Sequence, residues 1–395
     1  MTTAAGAYLA ILAVSAASSY GLTWAWRWFA VKRGIVKLPG ERDRDIHEKP
    51  LVNASGIAMY GAFLLTMLIA WRLPFFGGVF RDSSEPLGLI LGASIIVAIQ
   101  FIDDLRDLSP PAKLAGVVLG ATVMYFFGLS MFYFRIPFAG FVVLAVDLAP
   151  LMTVLWVAGM TQAVNLIDGL DGLAAGVVAI AAASFTIYAQ RLSDGGLLAP
   201  ENVGPLLAVI ACGLCLGYLP HNVHPAKVLM GDSGAYLLGV LMAASTLVVG
   251  GRIADQFSGQ TYFFYAPIFI PLFILGVPIL DVAWSILRRT YRRTGFGTAD
   301  AEHIHHRLMR LGHGQRRSVF ILWAWTAILS AFVLYPTFAG EGDKQFANRI
   351  VPFAVAALGL ALYTMFHPRV RERGRVDSRN GHPTAPQWQS EEPTN

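Results

Sequence analysis

Charge is scarce in this chain. Only 14% of its 395 residues are Asp, Glu, Lys or Arg, against about 25% in a soluble domain, which excludes an ordinary solvated globule. Cysteine is nearly absent as well. Cys212 and Cys215 lie in the apolar segment "LLAVIACGLCLGYL" with no second Cys or His pair at ligand spacing, so neither a disulfide framework nor a Cys-based zinc site is indicated. Both read as small apolar helix residues. The run over 6–31 lacks the basic start and the short apolar core of a secretory signal and continues too far, so it is expected to be a retained span. No internal repeat is legible, so the inverted-repeat signature of many transporters is missing.

What is abundant is hydrocarbon. Hydrophobic residues make up 55% of the chain and the mean hydropathy is +0.55. Apolar runs of about 20 residues recur from end to end, each long enough to cross a hydrocarbon core of roughly 30 Å as a helix. Closed helices rather than strands satisfy the backbone there. The expected fold is all-α, a polytopic integral membrane protein with about 11 transmembrane helices. The expected centres lie near residues 19, 63, 94, 121, 159, 181, 213, 241, 275, 327 and 357.

Basic residues collect in three places: Lys32 to Lys49, Arg288 to Arg317, and Arg369 to Arg375. The positive-inside rule puts all three in the cytoplasm; an odd number of spans then leaves the N-terminus outside and the C-terminus cytoplasmic. The net charge of +5 is read as setting topology and attracting anionic headgroups or substrates, with no nucleic acid partner. Residues 1–366 form the expected transmembrane domain with cytoplasmic loops. Residues 367–395, rich in Pro, Ser, Arg and Glu, read as a disordered cytoplasmic tail.

With this topology every acid-rich or His-rich cluster faces the cytoplasm. "FIDDLRDLSPPAK" follows the third span, "NLIDGLDG" joins the fifth and sixth, "HNVHPAKVLMGDSGAY" joins the seventh and eighth, and "EHIHHRLMRLGHGQRR" closes the loop after the ninth. The acids Asp103, Asp104, Asp168, Asp171 and Asp232, with Asn165, offer hard oxygen ligands suited to Mg²⁺ or Mn²⁺. Lys113, His305, His306 and Arg307 are of the kind that hold phosphate. Together they suggest phosphoryl transfer through a metal-bound diphosphate. Glycines beside the acids (Gly169, Gly172, Gly231 and Gly234) allow tight turns and close backbone approach at helix starts.

Each signal taken singly has a plainer reading. Asp103 and Asp104 are also what a helix end carries, Asp168 and Asp171 suit a turn, "HIHH" suits a solvated loop, and the Arg run over 288–293 suits a topology anchor.

In order along the chain, "DDLRDLSPPAK", "NLIDGLDGLAAG", "HPAKVLMGDSG" and "HIHHRLMRLG" resemble the motifs of the polyprenyl-phosphate N-acetylhexosamine-1-phosphate transferases. The resemblance runs from about residue 44 to 317. Its last motif looks like the branch that uses UDP-N-acetylhexosamine, the WecA and TagO types. The phospho-N-acetylmuramoyl-pentapeptide transferases typically carry three consecutive His there.

The resemblance implies transfer of a sugar 1-phosphate, most simply N-acetylglucosamine 1-phosphate, from a UDP-sugar to polyprenyl phosphate with release of UMP, at the inner face of the cell membrane. It implies Mg²⁺ as cofactor, held by Asp232 and Asn165, with Mn²⁺ as a substitute. Asp103, Asp104 and Asp168 become catalytic candidates, with Asp168 between the metal and nucleotide roles. Lys113 matches a phosphate-binding Lys, Asp171 and Asn222 match nucleotide-reading positions, and His305, His306 and Arg307 match the loop that grips the diphosphate. Arg44, His47, Pro50 and Gly56 look like a first cytoplasmic motif, in which His47 is a substrate-binding candidate. A homodimer is compatible with the resemblance and not specified by the sequence. Three positions depart from the pattern: Ser55 replaces a Gly, Leu229 stands where an aromatic is usual, and Ala235 replaces a Ser. A pentapeptide-type transferase and, in another class, a cation-coupled transporter are the rival readings; the transporter requires ionisable groups near span midplanes rather than at their ends.

Overall fold

A computed structural model describes residues 4–37, 50–131, 133–136, 140–196, 198–250, 308, 313–338 and 346–366. The chain there is helical apart from two small antiparallel strand pairs. It opens with helix α1 (Ala4–Arg33), followed by strands β1 (Val36–Lys37) and β2 (Leu51–Val52). Helix α2 (Gly56–Arg72) is bent by 88° from the short segment Pro74–Arg81, whose second part is α3 (Gly77–Arg81). Then come α4 (Glu85–Arg106), α5 (Pro110–Phe126) and the hairpin β3 (Tyr133–Ile136) with β4 (Gly140–Val143). Helices α6 (Ala149–Ile167), α7 (Leu173–Asp194), α8 (Gly204–Asn222), α9 (Gly231–Gly250), α10 (Gln315–Phe338) and α11 (Phe346–Phe366) complete the described chain.

Proline marks several of these starts. α4, α5, α6 and α8 each carry Pro in the first two positions, where its missing N–H costs nothing and its fixed φ suits the helix. Hydroxyls inside the apolar helices are satisfied locally: Thr66, Thr153 and Thr161 each donate to the carbonyl four residues back. Ser15 and Ser19 of α1 instead donate to the carbonyls of Ile210 and Leu214 of α8, at 2.9 and 2.7 Å. Such interhelical bonds hold neighbours together where hydrocarbon offers no hydrophobic drive.

Helix α9 is the central post. Within its apolar window 94% of residues are buried, against 22% for α1 on the outside, and α2, α4, α6 and α8 pack around it. Its N-terminus therefore opens among the ends of its neighbours. α4 and α6 run toward that end and α9 runs away from it, so Gln162 of α6 meets Tyr236 of α9 at 2.7 Å while Trp156 meets Thr246 at 2.9 Å further down. β2 adds a cross-tie: Leu229 N–H donates to Val52 O at 2.7 Å, and Gly56 N–H to Met230 O at 3.0 Å.

Every expected span centre except that near residue 275, which lies outside the described residues, falls inside a helix. Among the described residues, six helices are long and apolar enough to cross a membrane by length and composition, or seven if the bent α2 pair is one span. α5 is a shorter apolar helix of 17 residues, and the expected count of about 11 also includes the centre near residue 275, outside the described residues. The tail at 367–395 also lies outside the described residues.

Candidate active site

The polar groups meet where α4, α6 and α8 end and α5, α7 and α9 begin. Lys113, in the first turn of α5, places Nζ 3.0 Å from Asp232 Oδ2 at the start of α9, and the same ammonium is paired with Asp103 Oδ2 of α4. Asp103 is 2% exposed, and its second oxygen accepts the Leu108 N–H at 2.6 Å, closing the turn after α4. Lys113 and Asp232 are each nearly a quarter exposed. The outward face of this triad is therefore the lysine and Asp232, with Asp103 behind them.

Asp104 points elsewhere. Its Oδ1 accepts the Asp232 N–H at 2.7 Å, and its Oδ2 accepts the Ser233 N–H at 3.1 Å and the Ser233 hydroxyl at 2.6 Å. Gly231 makes room for this, since a Cβ there would lie 2.5 Å from the Asp104 carboxylate, and its φ of +73° suits glycine. The main chain of Asp104 is held too: its carbonyl accepts from Asn53 Nδ2 at 3.2 Å, and Asn53 O accepts from Trp26 Nε1 at 3.1 Å.

Asp168 stands just past the end of α6, half-buried, its N–H donating to Asn165 O at 3.2 Å. Enclosure by protein pushes its carboxyl up to about 7, and the charges of Asp232, Asp104 and Asp171 add to the shift. Asn165 lies one turn beyond Gln162, on the stretch of α6 that runs up toward the start of α9.

Asp171 and Asn222 form a latch. Asp171 Oδ2 contacts His224 Nδ1 at 2.7 Å and accepts the Ala226 N–H at 3.1 Å. Asn222 accepts the Gly172 N–H at 2.9 Å and donates to Val228 O at 2.9 Å. The two tie the turn before α7, where Gly172 has a φ of +78°, to the loop between α8 and α9. Arg316 Nε of α10 donates to His224 O at 3.2 Å, docking a later helix on the same loop.

These side chains can attract a divalent cation and phosphates. Asp103, Asp104, Asp168, Asp171 and Asp232 converge, with Lys113 and His224 as the cationic or titratable partners in contact with them. Among the described residues no three His, Cys, Asp or Glu side chains are grouped as a ready-made metal cage. The donor set nonetheless fits Mg²⁺, which prefers oxygen and is usually held by one or two carboxylates plus water and substrate phosphate.

The structure thus brings together Asp103, Asp104, Lys113, Asp168, Asp171, Asn222 and Asp232, with Asn165 on the adjoining end of α6. Arg44, His47, His305, His306 and Arg307 lie outside the described residues. Four contributors were not singled out from sequence: His224, Ser233, Asn53 and Arg316. A His directly before Pro in "HNVHPAK" and a Ser directly after the acid in "MGDSG" were the available signals for the first two. Ser55, where the pattern has Gly, uses its hydroxyl to donate to Leu229 O at 2.5 Å and to meet Tyr218 Oη at 3.1 Å.

A family profile described as "Glycosyl transferase family 4" matches residues 86–250. The decaprenyl-phosphate N-acetylglucosaminephosphotransferase of Mycolicibacterium smegmatis is 33% identical over 331 residues, 82% of this chain and 80% of that protein. A probable undecaprenyl-phosphate N-acetylglucosaminyl 1-phosphate transferase of Bacillus subtilis is 34% identical over 308 residues, 77% of this chain and 78% of its own. The phospho-N-acetylmuramoyl-pentapeptide-transferase of Clostridioides difficile is 33% identical over a shorter stretch of 204 residues, 50% of this chain and 56% of its own.

Proposed function

Since the chain belongs to glycosyl transferase family 4 and is a multi-pass membrane phosphotransferase, we propose that it moves N-acetylglucosamine 1-phosphate from UDP-N-acetylglucosamine to a polyprenyl phosphate. The observation that carries this reading is Lys113 set between Asp103 and Asp232 at the mouth of the helix bundle. A cation flanked by carboxylates at a helix-bundle end suits two phosphate substrates, one from water and one from the membrane. The relatives matched over about four-fifths of this chain are named for N-acetylglucosamine, whereas the pentapeptide-type relative from C. difficile matches half of it.

In the proposed reaction an oxygen of the lipid phosphate attacks the β-phosphorus of the UDP-sugar. The bond from that phosphorus to the bridging oxygen breaks, UMP leaves with the bridging oxygen, and the sugar keeps its phosphate. When bound, Mg²⁺ held by Asp232 and Asn165 supplies neutralisation of diphosphate charge. Lys113 exchanges its carboxylate partners for phosphate oxygens and orients them. Asp103, behind the lysine, orients the lipid phosphate; a phosphate monoester has its second pKa near 6, so little deprotonation is left for a base at pH 7. Asp171 and Asn222 hold the two loops that flank the nucleotide, and His47, His305, His306 and Arg307 complete the phosphate grip.

We place this face of the bundle in the cytoplasm at the cell membrane, with about eleven spans, an outside N-terminus and a cytoplasmic C-terminus. The three basic clusters support that orientation. The test is a donor panel: purified protein, polyprenyl phosphate and Mg²⁺ with radiolabelled UDP-N-acetylglucosamine, UDP-N-acetylgalactosamine or UDP-N-acetylmuramoyl-pentapeptide. Lipid-soluble label from the first donor is expected. Label from the pentapeptide donor alone would move the protein to the other branch, and none from any donor would sink the reading. Rapid quench without lipid should yield no phosphosugar adduct on Asp103, Asp104 or Asp168; an adduct would establish double displacement.

A further inference from the structure

We propose that Asp104 is a positioning residue: its carboxylate clamps the first turn of α9 so that Asp232 faces the substrates, and Asp104 touches none of them. The inference deepens the reading above and rests on it for the role of Asp232.

The need for a clamp follows from the local sequence. A helix start leaves its first N–H groups without partners, and they are normally capped by a Ser, Thr, Asp or Asn side chain just before the helix. Here the residue before Gly231 is Met230, which brings no such acceptor. The acceptor comes from a distant part of the chain. Asp104 takes the N–H groups of Asp232 and Ser233 and the Ser233 hydroxyl, so both of its oxygens are committed to α9. A carboxylate also suits the positive end of a helix dipole.

The adjacent acids of α4 cannot share one task, because consecutive side chains of a helix project about 100° apart. Asp103 turns to Lys113 and the Leu108 N–H, while Asp104 turns to α9. Acting on the lipid phosphate would require Asp104 to release three hydrogen bonds and free the turn that carries Asp232. Its main chain is fixed as well, through Asn53 to Trp26 of α1. Asp104 therefore transmits the position of α4 to Asp232, and Lys113 reads that position directly.

The test uses the full chain in detergent with Asp104→Asn, Ser233→Ala and the double variant. Asp104→Asn is expected to raise the Mg²⁺ concentration for half-maximal transfer about 10-fold and leave the shape of the pH profile unchanged. Ser233→Ala should give a shift of about 3-fold in the same direction, and the double variant should be no worse than Asp104→Asn, because both remove one shared contact. Multiplicative effects with an altered pH profile and an unaltered Mg²⁺ requirement would overturn the proposal. Hydrogen exchange gives a readout independent of turnover. Amides 232–236 should exchange about 10-fold faster in Asp104→Asn while α6 is unchanged. Unchanged exchange at Asp232 and Ser233 would overturn the positioning role even in a preparation that transfers no sugar, whereas faster exchange without turnover would sink the transferase reading alone.

Discussion

Lys113 Nζ lies 3.0 Å from Asp232 Oδ2 and is paired at the same time with Asp103, so one ammonium holds the carboxylates of two different helices. Removing it leaves two acids facing each other in a largely enclosed place. Lys113→Met is expected to cost about 2–3 kcal/mol, somewhat below the loss for a fully buried pair. Thermal unfolding in detergent with and without Mg²⁺ checks this: the melting temperature should fall, and Mg²⁺ should restore part of the loss. A variant as stable as the parent in the absence of Mg²⁺ would contradict it.

Gly231 is the residue on which the Asp104 contact depends sterically. Gly231→Ala places a methyl 2.5 Å from the Asp104 carboxylate at a φ of +73°. The left-handed conformation alone costs about 1–2 kcal/mol, and the clash adds to it. Melting temperature and transfer rate should fall together, with the rate falling about 100-fold or more. Normal turnover would mean that the start of α9 tolerates displacement.

The His224–Asp171 pair predicts an ordering rather than a collapse. The imidazole is 37% exposed and the carboxylate 2%, so solvent weakens the pair and His224→Ala should cost about 1 kcal/mol. Asp171→Ala should cost more, because the Ala226 N–H loses its acceptor as well. Asp171→Asn, which keeps an acceptor oxygen, should fall between Asp171→Ala and the parent in melting temperature.

Much of the site was legible because its residues are expensive where they stand. Asp103, Asp104, Asp168, Asp171 and Asp232 break an apolar background, and placing them at span ends required only hydropathy and the positive-inside rule. Direction was not legible. "DD" reads as two equivalent acids, and only the α4–α9 packing sends Asp103 to Lys113 and Asp104 to the Ser233 turn. His224 and Ser233 look ordinary in sequence because their roles come from partners 53 and 129 residues away. Among the described residues the helices lie at their expected centres, but hydropathy peaks do not distinguish a crossing helix from a shorter apolar one such as α5, so the peaks alone do not fix how many helices cross.

Asp168 gives stability a pH dependence. Its carboxyl is pushed from the ordinary 3.8 to about 7, by enclosure first and then by the charges of Asp232, Asp104 and Asp171. The folded protein thus holds this proton more tightly than the unfolded chain, and the stability it contributes is full below about pH 4 and declines as pH rises toward 7. Asp168→Asn removes that decline. Without divalent cations the variant should gain on the parent by about 1–2 kcal/mol between pH 5 and pH 8, a figure reduced because the group is half-exposed. Parallel melting curves for variant and parent across that range would contradict the assignment.

Doubly labelled donor tests the proposed chemistry most directly. UDP-N-acetylglucosamine carrying tritium in the sugar and ³²P at the β-phosphate is incubated with purified protein, polyprenyl phosphate and Mg²⁺, and the lipid phase and nucleotide are both analysed. Transfer of both labels to lipid in the donor's own ratio, with one UMP released per lipid product, is the expected result. Tritium reaching the lipid without ³²P, with UDP as the released nucleotide, would contradict sugar-1-phosphate transfer.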